Sequence, residues 1–120
     1  MSQKVLIVDD ETRITDGVAR RLGPALNVLD AEVIAFNNPF LLLEWISLHG
    51  MPKAVVTDDE MPQMLGRDLA KQLRLIGYKG MIVMVSGTAD ESVYDFGVNV
   101  LLEKPISVDA ILSALLPAFS

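Results

Sequence analysis

No cysteine occurs in this 120-residue sequence. Disulfides, thiolate chemistry and cysteine-held metals are therefore excluded. Histidine appears once, as His49, within the loop-like string His49-Gly50-Met51-Pro52. That composition predicts a surface loop rather than a phosphoryl donor or a metal ligand. Basic residues are few: Lys and Arg total 10 against 16 Asp and Glu, a net charge of −6, with a pI near 4.6. Such a surface repels phosphate backbones, so neither direct nucleic-acid binding nor attachment to anionic membranes is expected. No uncharged apolar run approaches the ~18 residues of a membrane-crossing helix. The first apolar run, Val5-Leu6-Ile7-Val8, is too short for a secretory signal and is followed by two acids, which makes the cytoplasm the expected location. No Gly-x-Gly-x-x-Gly follows that run, so a dinucleotide-binding site has little support. Linkers, repeats and low-complexity stretches are lacking as well.

What is present is an alternating pattern. Hydrophobic residues make up 51% and charged residues 22%, enough apolar content for one ordered domain over residues 1–120. Short apolar runs stand at Val5–Val8, Glu32–Phe36, Ala54–Thr57, Met81–Val85 and Val100–Leu102, as strands buried on both faces should. Amphipathic segments lie between them. Thr12 to Leu26 puts Ile14, Val18, Ala19 and Leu22 on one stripe. Asn38-Pro39 reads as a cap followed by proline at the first helical position, opening Phe40 to Leu48. Gly66 to Ile76 should turn Leu65, Leu69, Leu73 and Ile76 inward and Arg67, Asp68, Lys71 and Arg74 to water. Ala89 to Phe96 allows a short helix. The last helix starts at Ser107, with Val108, Ile111, Leu112, Leu115, Leu116 and Phe119 on one face. Strictly alternating βα units predict an α/β fold, a parallel sheet covered by helices on both faces.

Ligands of such sheets bind beyond the carboxyl ends of the strands. Asp9, Asp10 and Glu11 follow the first run; Asp58, Asp59 and Glu60 follow the third; Ser86, Gly87 and Thr88 follow the fourth; Glu103, Lys104 and Pro105 follow the fifth. Clustered carboxylates repel unless a cation sits among them. Oxygen ligands without His or Cys suit Mg²⁺, and a lysine adds a mobile charge for phosphoryl oxygens. The set suits phosphoryl transfer, with a carboxylate as nucleophile.

The chain resembles the receiver domain of two-component response regulators, the CheY-like fold, over essentially its whole length. Four stretches carry the resemblance: Lys4–Glu11, Asp58–Gly66, Met84–Gly87 and Glu103–Pro105. It implies a five-stranded (βα)5 flavodoxin/CheY-like sheet of strand order 2-1-3-4-5. Asp58, with Met61-Pro62 after it, matches the phosphoacceptor. Asp10 matches the direct Mg²⁺ ligand and Asp9 the acid holding metal-bound water. The backbone carbonyl of Glu60 falls at the third protein ligand. Ser86 matches the switch hydroxyl, Lys104 the lysine that pairs with the phosphoryl group, and Pro105 the proline after a cis peptide. The side chains of Glu60 and Thr88 fall where the family tunes phosphoryl lifetime. The implied donor is a sensor histidine kinase or a phosphotransfer protein. The output partner is unknown.

Four features depart from that pattern. Leu101 stands where an aromatic switch residue is usual. Lys104 follows Ser86 by only 18 positions, about one helical turn short, so the fourth helix should be stunted. Asp59 replaces an aliphatic residue, and a buried unpaired carboxylate is costly; it should turn to solvent or find a cation, and it could compete with Asp58. The stretch from Asp10 to Asp58 is longer than usual, so its helices or loops should be extended.

Trp45, with Leu41 and Leu48, forms a second apolar stripe, which reads either as further core or as a partner surface. The six methionines are expected as core or loop filling. Ala110, Ala114 and Ala118 form a small-residue face where a partner, including a second copy, could approach. The expected function is Mg²⁺-dependent phosphoryl uptake at Asp58 from phosphohistidine, followed by slow self-hydrolysis. The rival is a docking module with weak or no phosphorylation. A metal-dependent phosphatase forming an aspartyl phosphate is less favoured, since no cap domain is present.

Overall fold

A computed structural model describes residues 3–119; the side chains of residues 12–16 lie outside that description. Five strands alternate with four α-helices: β1 (Gln3–Val8), α1 (Thr12–Asn27), β2 (Ala31–Phe36), α2 (Pro39–His49), β3 (Ala54–Asp58), α3 (Gly66–Leu75), β4 (Met81–Ser86), β5 (Val100–Glu103) and α4 (Val108–Leu115). The strands are all parallel, in the order β2-β1-β3-β4-β5. The expected sheet and order are therefore observed.

The inner stretches of the central strands, Val5–Val8, Ala54–Val56 and Met81–Val85, are apolar because both faces of the sheet are covered. Leu6, Val8, Val55, Ile82 and Met84 join Leu42, Ile46, Leu69 and Leu73 under α2 and α3. Val5, Ile7, Val56, Val83 and Val85 join Leu22, Leu26, Ile111 and Leu115 under α1 and α4. Each fully buried leucine of this kind stabilises the fold by roughly 2 kcal/mol. Val18 packs against the second layer; Ile14, expected on the same stripe, lies outside the described residues.

The caps explain most boundaries. Asn38 Oδ1 accepts the Phe40 N–H at 2.8 Å with Pro39 beginning α2, and Ser107 Oγ accepts the Ala110 N–H at 3.1 Å at the start of α4. Helix α2 ends at Gly50, whose φ of 97° suits a residue without Cβ. His49 is accordingly the last residue of α2, not part of a loop, and its Nδ1 lies 3.0 Å from the Trp45 carbonyl.

Between β4 and β5 the chain makes only a 3₁₀ turn, Glu91–Phe96. The stunted fourth helix is thus a 3₁₀ segment. A second one, Leu116–Phe119, follows α4.

Other expectations are corrected. Leu65 and Ile76 do not point inward; they occupy the two cap positions of α3, outside its regular turns, and are 43% and 49% exposed. Leu116 is also exposed, being past the end of α4. Arg67 and Arg74 are half-buried and bonded instead of facing water. Arg74 donates to the carbonyls of Tyr78, Gly80 and Gly97 and to Asn99 Oδ1, joining the end of α3 to the start of β5. Trp45 packs on the α2–α3 layer and stacks on His49, with ring centroids 4.5 Å apart, whereas Leu41 and Leu48 stay exposed. Ala114 packs on the α1–α4 layer, so the small-residue face is not open along its length. Met61 and Met84 are core residues, whereas Met51 is exposed.

Candidate functional site

Three strands deliver the acids and the lysine to one edge of the sheet. Asp9 and Asp10 directly follow β1, Asp58 is the last residue of β3, and Lys104 directly follows β5. One carboxylate oxygen from each of Asp9, Asp10 and Asp58 falls within a mutual 4.8 Å. Asp9 and Asp58 are buried and Asp10 is exposed.

The local backbone fixes these groups. The Asp59 N–H donates to the Val85 carbonyl at 3.1 Å, and the Lys104 N–H donates to the Ser86 carbonyl at 2.7 Å. Buried Thr57 donates its hydroxyl to the Asp58 carbonyl at 2.8 Å. The Glu11 N–H donates to Asp9 Oδ1 at 2.9 Å. The Lys104–Pro105 peptide is cis, as expected.

Electrostatics mark the cluster as short of positive charge. Burial pushes the Asp9 carboxyl up to about 6; the Glu11 N–H opposes this and the charge of Asp58 reinforces it. Lys104 Nζ stands 3.0 Å from Asp58 Oδ1. Burial works against its ammonium, but the close carboxylate of Asp58 and the charges of Asp9 and Glu11 outweigh that and hold its pKa above the ordinary lysine value. Asp58 Oδ1 is nevertheless buried without an aligned hydrogen-bond donor among the described residues. Its one close charge partner there is the Lys104 ammonium, and carboxylate oxygens gathered in this way suit a small hard cation.

Ser86 ends β4 and is buried; its Oγ accepts the Thr88 N–H at 3.2 Å and lies 3.4 Å from the Thr88 hydroxyl. Thr88 and Glu60 are exposed beside the cluster. Leu101 is half-buried, and its N–H donates to the Tyr94 hydroxyl at 3.3 Å.

Asp59 is buried at 4% exposure and has found a cation. Arg67 Nη2 lies 2.8 Å from Asp59 Oδ2 and Nε 3.3 Å from Oδ1, while Arg67 Nη1 lies 3.0 Å from Asp90 Oδ2. Sequence reasoning missed Arg67 and Asp90 as members of this surround. One signal was there: Asp59 needed a cation, and Arg67 is the first one after it in the chain.

Comparison with known proteins agrees with this geometry. A family model described as the response regulator receiver domain matches residues 5–116. The chain is 31% identical over 117 residues to the uncharacterized transcriptional regulatory protein YesN of Bacillus subtilis (strain 168), covering 93% of this chain and 31% of that protein. It thus spans about a third of that relative's length. Among solved structures, the Francisella response regulator 1452 receiver domain superposes with a TM-score of 0.84 at 20% identity, over 98% of this chain and 97% of that one. The chemotaxis response regulator CheY4 of Vibrio cholerae superposes with a TM-score of 0.83 at 22% identity, over 98% and 99%.

Proposed function

This chain belongs to the response regulator receiver domains of two-component signalling, and on that premise we propose that Asp58 accepts a phosphoryl group from the phosphohistidine of a sensor kinase or phosphotransfer protein. A carboxylate oxygen of Asp58 attacks phosphorus; the O–P bond forms as the P–N bond breaks, and the electron pair stays on the donor's imidazole, which takes up a proton. Hydrolysis later returns the carboxylate and inorganic phosphate. Lys104 follows the transferred oxygens with its mobile ammonium, and Ser86 offers its hydroxyl to one of them.

Asp9, Asp10 and Asp58 would hold Mg²⁺, with the carbonyl of Glu60 as a further ligand. Buried Asp58 Oδ1, with the Lys104 ion pair but no aligned donor, and the raised Asp9 fit such an ion. When bound, it neutralises charge on the phosphoryl oxygens. Glu60 and Thr88, both exposed, would tune access of hydrolytic water. Partner or dimer contacts would change with phosphorylation, and the cytoplasm is the compartment this reading assigns.

The single observation that carries the reading is the convergence of Asp9, Asp10 and Asp58 within 4.8 Å, with Lys104 paired to Asp58. Incubation with acetyl phosphate and Mg²⁺, followed by mass spectrometry of the intact chain, tests it. Addition of one PO₃ that is lost in Asp58→Asn is expected. No addition to the wild-type chain would leave the docking-module reading in its place.

A further inference from the structure

Asp58 and Asp59 share a peptide bond, and the side chain of Asp59 starts a polar path that leaves the site. Its buried carboxylate takes two nitrogens of Arg67, Nε and Nη2; the third, Nη1, reaches Asp90 Oδ2. The other oxygen of Asp90 accepts the N–H of Ser92 at 3.0 Å and its hydroxyl at 2.6 Å, capping the Glu91–Phe96 turn. Tyr94, within that turn, accepts the N–H of Leu101 in β5. One guanidinium therefore bridges the phosphoacceptor loop and the β4–β5 connection.

We infer that Arg67 is a positioning residue that reports the state of Asp58 to the Glu91–Phe96 turn. The inference rests on the phosphoryl uptake proposed above and names its route outward.

The two ends of the bridge are unequal. Asp59 is buried, and a buried charge stripped of its partner is strongly unfavourable. The Asp90 side chain is 42% exposed, so water replaces its partner at little cost. The guanidinium is planar and rigid and cannot tilt toward one carboxylate without leaving the other. Turning the Asp58 carboxylate into an acyl phosphate adds about one negative charge, and a bulky set of oxygens, to the residue next to Asp59. The added field draws Arg67 toward β3, and the exposed end yields. Bridged and released are the two arrangements that such coupling requires. Release frees the turn that holds Tyr94 against Leu101.

Amide hydrogen exchange of the chain in Mg²⁺, with and without beryllofluoride, tests this, with labelling by acetyl phosphate followed in parallel by mass. In the wild type, exchange at Ser92–Phe96 and Leu101 should speed up several-fold on activation. In Asp90→Asn, which keeps an acceptor for Ser92 but loses the ion pair, exchange there should already be fast and should not respond, while Asp58 is labelled as before. Arg67→Lys keeps the charge but cannot span both acids, and should give the same result; it also carries the test should Asp90→Asn not fold. A wild-type response in both variants overturns the inference, as does a labelled wild type with no response in the turn. Variants that no longer take up PO₃ also overturn it, because the bridge would then serve the chemistry itself. A wild type that is never labelled refutes the proposed function, and its mass shows that separately.

Discussion

The first residue of α3, Gly66, lies against the carbonyl oxygen of Asp58 so closely that a Cβ would overlap that oxygen and come within 2.9 Å of the Asp59 Cα. Helix α3 thus begins on the Asp58–Asp59 peptide, and the Gly66 N–H donates to the Asp59 carbonyl at 2.8 Å. Both neighbours are backbone and cannot rotate away.

Gly66→Ala should therefore cost about 1–3 kcal/mol, the range for inserting a methyl group where nothing can give. Urea unfolding measures it. A loss within the scatter of surface substitutions would contradict the packing described.

Asp9 should make stability depend on pH. Its folded-state pKa is raised from 3.8 to about 6, so between those values the folded chain holds the extra proton. The contribution of Asp9 to stability is greatest below pH 4 and falls as pH climbs through 6. Partial solvation limits the loss to about 1–2 kcal/mol. In metal-free buffer Asp9→Asn should lack this decline and be the more stable chain at pH 7.5. Parallel unfolding free energies for the two chains from pH 4 to 7.5 check this, and an equal decline in both would refute it.

Asp59 should not replace Asp58. Both its oxygens face Arg67 and its carboxylate is buried, so it has neither a free oxygen nor room for a donor. After acetyl phosphate treatment of Asp58→Asn, peptide mapping should find no phosphate on Asp59. A phosphorylated Asp59 peptide would show that the Arg67 pair opens readily.

Lys104→Ala should leave Mg²⁺ affinity nearly unchanged, since the proposed ligands are three carboxylates and a backbone carbonyl. It should remove most of the spectral response to beryllofluoride, because the ammonium 3.0 Å from Asp58 is gone. Asp10→Asn should do the opposite first: weaken Mg²⁺ roughly tenfold or more, with labelling recovered at high Mg²⁺. Titration calorimetry and amide spectra separate the two.

Much of this was legible because local patterns and global packing agree. Val5–Val8 and Met81–Val85 read as continuous apolar runs since the sheet is covered on both sides, and the acids stand out because they directly follow such runs. Residues at helix ends were misread: Leu65 and Ile76 continue the period of α3 but occupy its caps, where the period no longer sets direction. Arg67 and Arg74 looked solvated because a charged residue on the polar side of a helix usually is. Their partners, Asp90 and the Gly97 carbonyl, lie 23 residues away in sequence, and nothing local encodes such a meeting. His49 was assigned to a loop because its neighbours Gly50 and Pro52 break helices; the break falls just after it.

The site also has an order of birth. Its components belong to the first, third and last strands, so a nascent chain emerging from the ribosome can bring the carboxylates together once β3 has docked, but has no ammonium beside Asp58 until β5 follows. The acids are thus gathered before the charge that pairs with Asp58 arrives, and the pairing of Lys104 with Asp58 waits on the last strand of the sheet.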